Sequence, residues 1–259
     1  MSVHKSCSRK VERRVATFLR RMVGQEPGDR VNLECRKEHV GNWIICPVGI
    51  SRSSRILSLG IGNDVRFDRE IIGRYGCDVH AFDPTPRWVE WIVMQHMPPQ
   101  FHFHPFAVGK SDTLMQMYPM VYNGRQSASM MTVIDEGGGS GRAVDVRMKR
   151  ISTILGELRF PGIDVLKMDI EGAEYDVIDD FLDAGIPVYQ LLVEFHHRFK
   201  SLSVEKTKSA LGRLKASGYR IIHISDKCRD YVLIHEPTLR QYEQCALSET
   251  SKPGLSIAT

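Results

Sequence analysis

Six acids and histidines crowd two short stretches. Asp169, Glu171 and Glu174 fall within Met168-Asp-Ile-Glu-Gly-Ala-Glu174, and Glu194, His196 and His197 within Glu194-Phe-His-His197. Each stretch ends an apolar run, Ile163–Met168 or Val188–Phe195, that reads as a buried strand. Carboxylates and an imidazole at neighbouring strand ends suit the removal of a proton from a hydroxyl, which is a poor nucleophile until that proton leaves. A positioned base adds typically ~10²–10⁴-fold to such a rate. His196 is the expected base, because an unperturbed imidazole titrates nearest neutral pH. Asp169 comes second, and Glu171 completes the expected catalytic set. Asp169 also suits orientation of a cofactor, while Glu171 and Glu174 also suit the start of the next helix, where an acid complements the helix dipole. His197 is expected to face away from His196 and to be exposed. Asp169, Glu194 and His196 offer hard donors for a metal, but no spacing fixes a geometry and no metal is assigned. His102 and His104 share one face of a strand and read as partly exposed positions.

A second constellation lies upstream. Gly60-Ile-Gly62 directly follows the run Arg55-Ile-Leu-Ser-Leu59, and Asp83 ends the next run, 23 residues after Gly60. Glycines at the carboxyl edge of a sheet let the backbone approach a ligand closely. A carboxylate placed like Asp83 can accept both ribose hydroxyls of an adenosine cofactor. Asp83 beside Pro84 also reads as an acid at a helix N-terminus. A dinucleotide site calls for a third small residue where Val65 stands. S-adenosyl-L-methionine carries no phosphate and needs none there, so it is the expected cofactor.

The elements that must hold these residues alternate from position 55 onward. Strands at 55–59, 78–82, 101–108, 163–168 and 188–195 are expected, with helices at 67–75, 86–96, 173–182 and 204–216. Two further strands, 219–224 and 230–234, lie about five residues apart and suit an antiparallel hairpin. Alternation implies a parallel sheet with helices on both faces. Trp43–Cys46 reads as a short opening strand. Residues 110–150 break the rhythm and are expected to be a loop, or a lid over the site, including the glycine-rich Asp135–Arg142. Three segments result: a helical arm at 1–40, a catalytic domain at 41–236 and a polar, frayed tail at 237–259. In the arm, Val11, Val15, Phe18, Leu19 and Met22 follow one helix face, expected to pack on the domain.

The stretch Val165-Leu-Lys-Met-Asp-Ile-Glu-Gly-Ala-Glu-Tyr-Asp-Val-Ile178 resembles the signature of the FkbM family of S-adenosylmethionine-dependent methyltransferases. Val79–Pro86, Phe106-Ala-Val-Gly109, Leu191–His196 and Asp230–Ile234 resemble the family's other strand motifs in the same order. The resemblance covers roughly residues 40–236. It implies an α/β class I methyltransferase (Rossmann-like) fold, with a mostly parallel seven-stranded sheet and a C-terminal antiparallel hairpin. It also implies transfer of a methyl group to a hydroxyl of a sugar or secondary-metabolite-type small molecule. Ser58, Gly60, Gly62, Asp64, Asp83, Ala107 and Asp169 are the cofactor-binding residues it points to. Ser58 departs from the pattern of many such methyltransferases, which place an acid there to hold the methionine amino group; Asp64, Asp169 or the backbone is expected to substitute.

Composition narrows the partners. Hydrophobic residues make up 42% and charged residues 25% of 259, an ordinary globular balance. Residues 1–30 carry eight Lys or Arg against three Asp or Glu, or +5, so the remaining 229 residues sum to −1 of the net +4. The body is therefore not expected to bind nucleic acid, and no Asn/Asp-Pro-Pro-aromatic motif follows the fourth strand. The basic arm allows weak association with an anionic surface. No apolar run approaches the ~20 residues of a membrane span, no signal core opens the chain, and the six cysteines form no C-x-x-C pair, so a cytoplasmic location is expected. Two rival readings remain: a cofactor-binding regulatory module without activity, favoured by Ser58, and an NAD(P)-dependent oxidoreductase, disfavoured by Val65.

Overall fold

The computed structural model describes residues 15–17, 19–122, 125–132, 143–199 and 202–250. A helical segment α1 (residues 15–17 and 19–22) and a hairpin of β1 (Glu38–Val40) and β2 (Trp43–Ile45) precede the main sheet. That sheet contains β3 (Ile56–Leu59), β4 (Val79–Phe82), β5 (Phe101–His104), β10 (Ile163–Met168), β11 (Val188–Glu194), β12 (Tyr219–Ile224) and β13 (Asp230–His235). Their order is β12-β13-β11-β10-β3-β4-β5. The pairs among β3, β4, β5, β10 and β11 are parallel, and β13 is antiparallel to both its neighbours.

Alternate residues of the central strands feed two cores, as the two-residue strand period requires. Leu57, Leu166 and Leu191 face one core with residues of α4 (Ile151–Leu158), α5 (Glu174–Asp183) and α6 (Val204–Ala216). Ile56, Val165 and Leu192 face the other, with α2 (Arg66–Tyr75) and α7 (Glu236–Thr250). β3 and β10 lie side by side, with the next strand of each on opposite sides, so a crevice opens at their carboxyl ends.

Four expectations are corrected. The run 101–108 is not one strand. It breaks at Pro105, which has no N–H to give a ladder, and β6 (Ala107–Val108) leaves for a second sheet. Residues 110–150 are not a plain loop. β7 (Thr113–Tyr122), β8 (Arg125–Thr132) and β9 (Val144–Lys149) join β6 in the order β6-β9-β7-β8, around a small core of Ala107, Met117, Val146 and Met148. The glycine-rich Asp135–Arg142 lies outside the described residues. The tail is not frayed from 237: α7 docks through buried Leu239 and sets Tyr242 edge-on to Tyr189, ring centroids 5.0 Å apart. Residues 251–259 lie outside the described residues. Finally, the apolar stripe of α1 does not pack on the domain. Val15, Leu19 and Met22 are 52%, 58% and 72% exposed; Val11 and Phe18 lie outside the described residues. The arm is fastened further on, where buried Glu26 grips the exit of β11 and Asn32 bonds Ile221 of β12.

Candidate functional site

Gly60 and Gly62 both take positive φ, 76° and 52°. At Gly60 the reason is a close approach: a Cβ there would lie 1.8 Å from the Asp169 carbonyl oxygen. β3 and β10 therefore end together only because residue 60 has no side chain. At Gly62 a Cβ would meet nothing within 4 Å, so the turn faces open space.

Asp83 fastens this turn. Its Oδ2 accepts from Gly62 N at 2.9 Å, and its Oδ1 accepts from Thr85 N at 2.9 Å, just before α3 (Pro86–Val93). Burial pushes the carboxyl up, while the N–H groups of Thr85 and Gly62 hold it back. The Thr85 hydroxyl and the Ile61 N–H also act on this carboxyl and hold it down.

A cavity of about 330 Å³ opens over the turn, within the usual range for small-molecule sites. Gly60, Gly62, Asp64, Asp83, Ala107, Asp169 and Glu171 all line it. Trp88 of α3, Phe106 and Met117 of β7 add apolar wall, so the second sheet contributes directly.

Two expected residues fall outside the lining. Ser58 is fully buried, next to the equally buried Asp68. It cannot meet a ligand amino group, because it lies on the strand beneath the glycine turn. His196 is buried behind the carboxylates that line the cavity. Asp64 does line it, but Arg66 Nε bonds its two oxygens at 2.8 and 3.1 Å, which holds its carboxyl below the usual range.

The carboxylate–imidazole cluster forms where β10 and β11 end. His196 Nδ1 lies 2.8 Å from Glu174 Oε1, and its Nε2 lies 3.1 Å from Glu171 Oε2 and 3.6 Å from Asp169 Oδ1. Glu174 is fully buried and also accepts from Ile170 N at 3.0 Å and Gly172 N at 3.1 Å, so it shapes the turn that carries Glu171. Glu171 itself has φ 53°, an uncommon backbone state for a residue with a side chain.

The reason for choosing His196 as base does not survive this geometry. Burial opposes a charge on the ring, but Glu174 and Glu171 outweigh it and raise its titration well above the ordinary 6.5. A ring biased this way toward its charged form is poorly suited to take the proton of a hydroxyl. Asp169 is pushed up to about 6 by burial, with His196 and Lys167 pulling against that. Glu194 pairs with Arg229 at 2.5 Å instead of joining His196, and burial together with Asp169 pushes it up to about 7. His197 is not exposed. Its Nε2 lies 2.8 Å from Glu26 in a buried pair, because the arm covers it. His102 is exposed and His104 half-buried, with His104 Nε2 3.0 Å from His80 Nδ1.

Sequence reasoning missed Lys167. It stands inside an otherwise buried strand, 5% exposed, and its Nζ donates to Gly60 O at 2.7 Å. The signal was a lysine in an apolar run, which in a strand covered on both faces needs a buried partner.

A family model for the methyltransferase FkbM domain matches residues 51–221. The human protein named "Probable methyltransferase-like protein 24" is 24% identical over 183 residues, which is 67% of this chain and 43% of the relative. The rat protein of the same name is 24% identical over 199 residues, 70% of this chain and 48% of the relative. The chain thus spans less than half the length of these curated relatives. The crystal structure of methyltransferase FkbM from Methylobacillus flagellatus KT covers 71% of this chain and 43% of its own, at 14% identity and a TM-score of 0.41. The family match takes in well over half of the 259 residues and contains both the glycine turn and the carboxylate cluster, and the chain belongs to the FkbM methyltransferase domain family.

Proposed function

We propose that this chain transfers a methyl group from S-adenosyl-L-methionine to a hydroxyl of a small molecule. One observation carries the reading: a single cavity has Gly62 and Asp83 on one wall and Asp169 and Glu171 on another. The first pair suits a ribose, the second an acceptor hydroxyl. The order of the seven strands, with one antiparallel member, supports a class I methyltransferase fold.

The residues fit this cofactor. Asp83 lines the cavity where a ribose would lie, and Ala107 and Val108 give a small apolar surface for a base. Lys167 is the cavity's only lining cation among the described residues, and Gly60 O engages it. With Val65 standing where a dinucleotide site calls for a small residue, this favours a phosphate-free cofactor over NAD. With Ser58 buried and Asp64 held by Arg66, the backbone of the glycine turn is left to meet the amino group.

S-adenosylmethionine supplies an electrophilic methyl on a sulfonium and departs as S-adenosylhomocysteine. The chain's part is to bind, orient and remove a proton. Asp169 reaches the cavity while His196 does not, so Asp169 accepts the hydroxyl proton. His196, fixed by Glu174, positions the two carboxylates in front of it. Trp88, Phe106 and Met117 exclude water and grip the acceptor. In-line orientation of this kind contributes on the order of 7–11 kcal/mol in well-aligned cases.

Calorimetric titration tests the reading. S-adenosylmethionine and S-adenosylhomocysteine are expected to bind wild type at micromolar Kd, and NAD is not. Asp83→Ala removes two charge-assisted acceptors, each about 1.5–3 kcal/mol, and is expected to weaken binding at least 100-fold. Absence of binding by a folded wild type would remove the reading. Binding without turnover on any acceptor would favour a regulatory module, which buried Ser58 otherwise supports.

A further inference from the structure

We infer that Asp169, Glu171 and His196 form a site for one divalent cation of the magnesium or manganese type, placed to hold the acceptor oxygen. One donor atom from each lies within 4.8 Å of the others. Around an octahedral cation with ligands at ~2.1 Å, adjacent ligand atoms stand ~3 Å apart. The separations here, 3.1 Å from His196 Nε2 to Glu171 and 3.6 Å to Asp169, are close to that spacing before any ion enters.

The histidine is built as a ligand. Glu174 takes Nδ1 at 2.8 Å and is itself pinned by Ile170 N and Gly172 N. That fixes the ring and turns Nε2 toward the two carboxylates. A carboxylate on the far nitrogen is the usual support of a metal-bound imidazole. The side chain of His196 is 4% exposed, whereas Asp169 and Glu171 are 37% and 24% exposed and line the cavity. An ion here would therefore be backed by protein and open toward the ligand space. Two carboxylates and one imidazole, with no thiolate, suit a hard cation. Three protein ligands leave up to three octahedral positions for water and for substrate oxygen.

Binding of the cation stands on this geometry alone; its role rests on the methyltransferase reading. There it lowers the pKa of a coordinated hydroxyl. The hydroxyl proton passes to Asp169, the oxygen forms the new bond to the methyl carbon, and the electron pair of the broken C–S bond stays on sulfur.

Titration of the full chain with Mn²⁺, read by electron paramagnetic resonance without cofactor, separates the two. One site is expected in wild type. Glu171→Gln and Asp169→Asn, both at partly exposed positions, are expected to weaken it at least tenfold while far-ultraviolet circular dichroism stays unchanged. Asp83→Ala, at the other wall, is expected to keep it. No Mn²⁺ bound at millimolar concentration, or equal binding by wild type and both carboxylate variants, would overturn the site. Mn²⁺ binding with no affinity for S-adenosylmethionine would uphold the site and remove the methyltransferase reading instead.

Discussion

Replacing Lys167 by methionine isolates the part of the site that sequence reasoning overlooked. Methionine nearly conserves volume and keeps an unbranched chain, so packing changes little. Two things are lost. Gly60 O loses its donor at 2.7 Å, and Asp68 loses a nearby cation. Asp68 is fully buried; burial pushes it up, and Lys167, then the neighbouring Ser58, pull it back. A hydrogen bond to a charged group is worth about 1.5–3 kcal/mol. Relief from burying Nζ works the other way, which leaves a net loss of about 1–2 kcal/mol. For a chain of this size the fall in Tm is about 2–8 °C. The freed turn also fits a ligand less well, and S-adenosylmethionine is expected to bind roughly tenfold more weakly, or ~1.4 kcal/mol. Thermal denaturation and calorimetry read the two effects. A cycle with Asp68→Asn then tests the link: residues in one electrostatic network couple by about 0.5–3 kcal/mol. Unchanged Tm and Kd in Lys167→Met would show the lysine to be filler. Strict additivity with Asp68→Asn would refute the electrostatic argument even if both single effects appeared.

Two further outcomes concern acid. Burial, then His102 and His104, lower His80 to about 4 from 6.5. The unfolded chain therefore binds more protons between those values, and stability falls as pH drops from about 6.5 toward 4. A gap of that size is worth about 3 kcal/mol under full burial, and about 2 kcal/mol once partial solvent access is discounted. His80→Gln should flatten the Tm-against-pH curve in this window, and an unaltered slope would count against the buried neutral ring. Glu26 is also lowered, but because its charged form is favoured: burial raises it, while His197 and Arg198 win and hold it below 4.5. Its contribution is present above 4.5 and disappears as pH falls through the lower folded value. Glu26→Gln should cost about 2–3 kcal/mol at neutral pH in urea denaturation and converge with wild type in strong acid; a gap undiminished at pH 3 would refute the pairing.

Much of the main sheet was readable because its strands are buried on both faces. Such strands write themselves as continuous apolar runs punctuated by glycine, as in Ile56-Leu-Ser-Leu59 before Gly60. The second sheet was harder. Val144-Asp-Val-Arg-Met-Lys149 does alternate apolar with charged residues, and Val144, Val146 and Met148 pack in its small core. Its partner β7 carries Gln116 and Pro119 and leaves Leu114 74% exposed. Half-covered strands of this sort resemble loops unless the pairing is known. The last helix hid for a similar reason. Leu239 and Tyr242 anchor its first turns by apolar contact, and Tyr189, which meets Tyr242, lies about fifty residues upstream.

At the site, residue types and strand ends placed the acids correctly, but spacing could not say which hydrogen bonds they make. Asp169, His196 and Asp83 were each identified from where their strands stop. The charge on His196 depends on something else, the return of Glu174 from the first turn of α5 onto Nδ1. That contact spans 22 residues and needs the turn at Gly172, whose N–H bonds the same carboxylate. The same return works against His196 as the base. A histidine near neutral pH is a base only if its surroundings leave it neutral, and three carboxylates around one buried ring do the reverse. What such a ring does well is hold two carboxylates at a fixed separation facing a cavity. Either a proton or a metal ion can occupy the space between them, and the Mn²⁺ titration decides which.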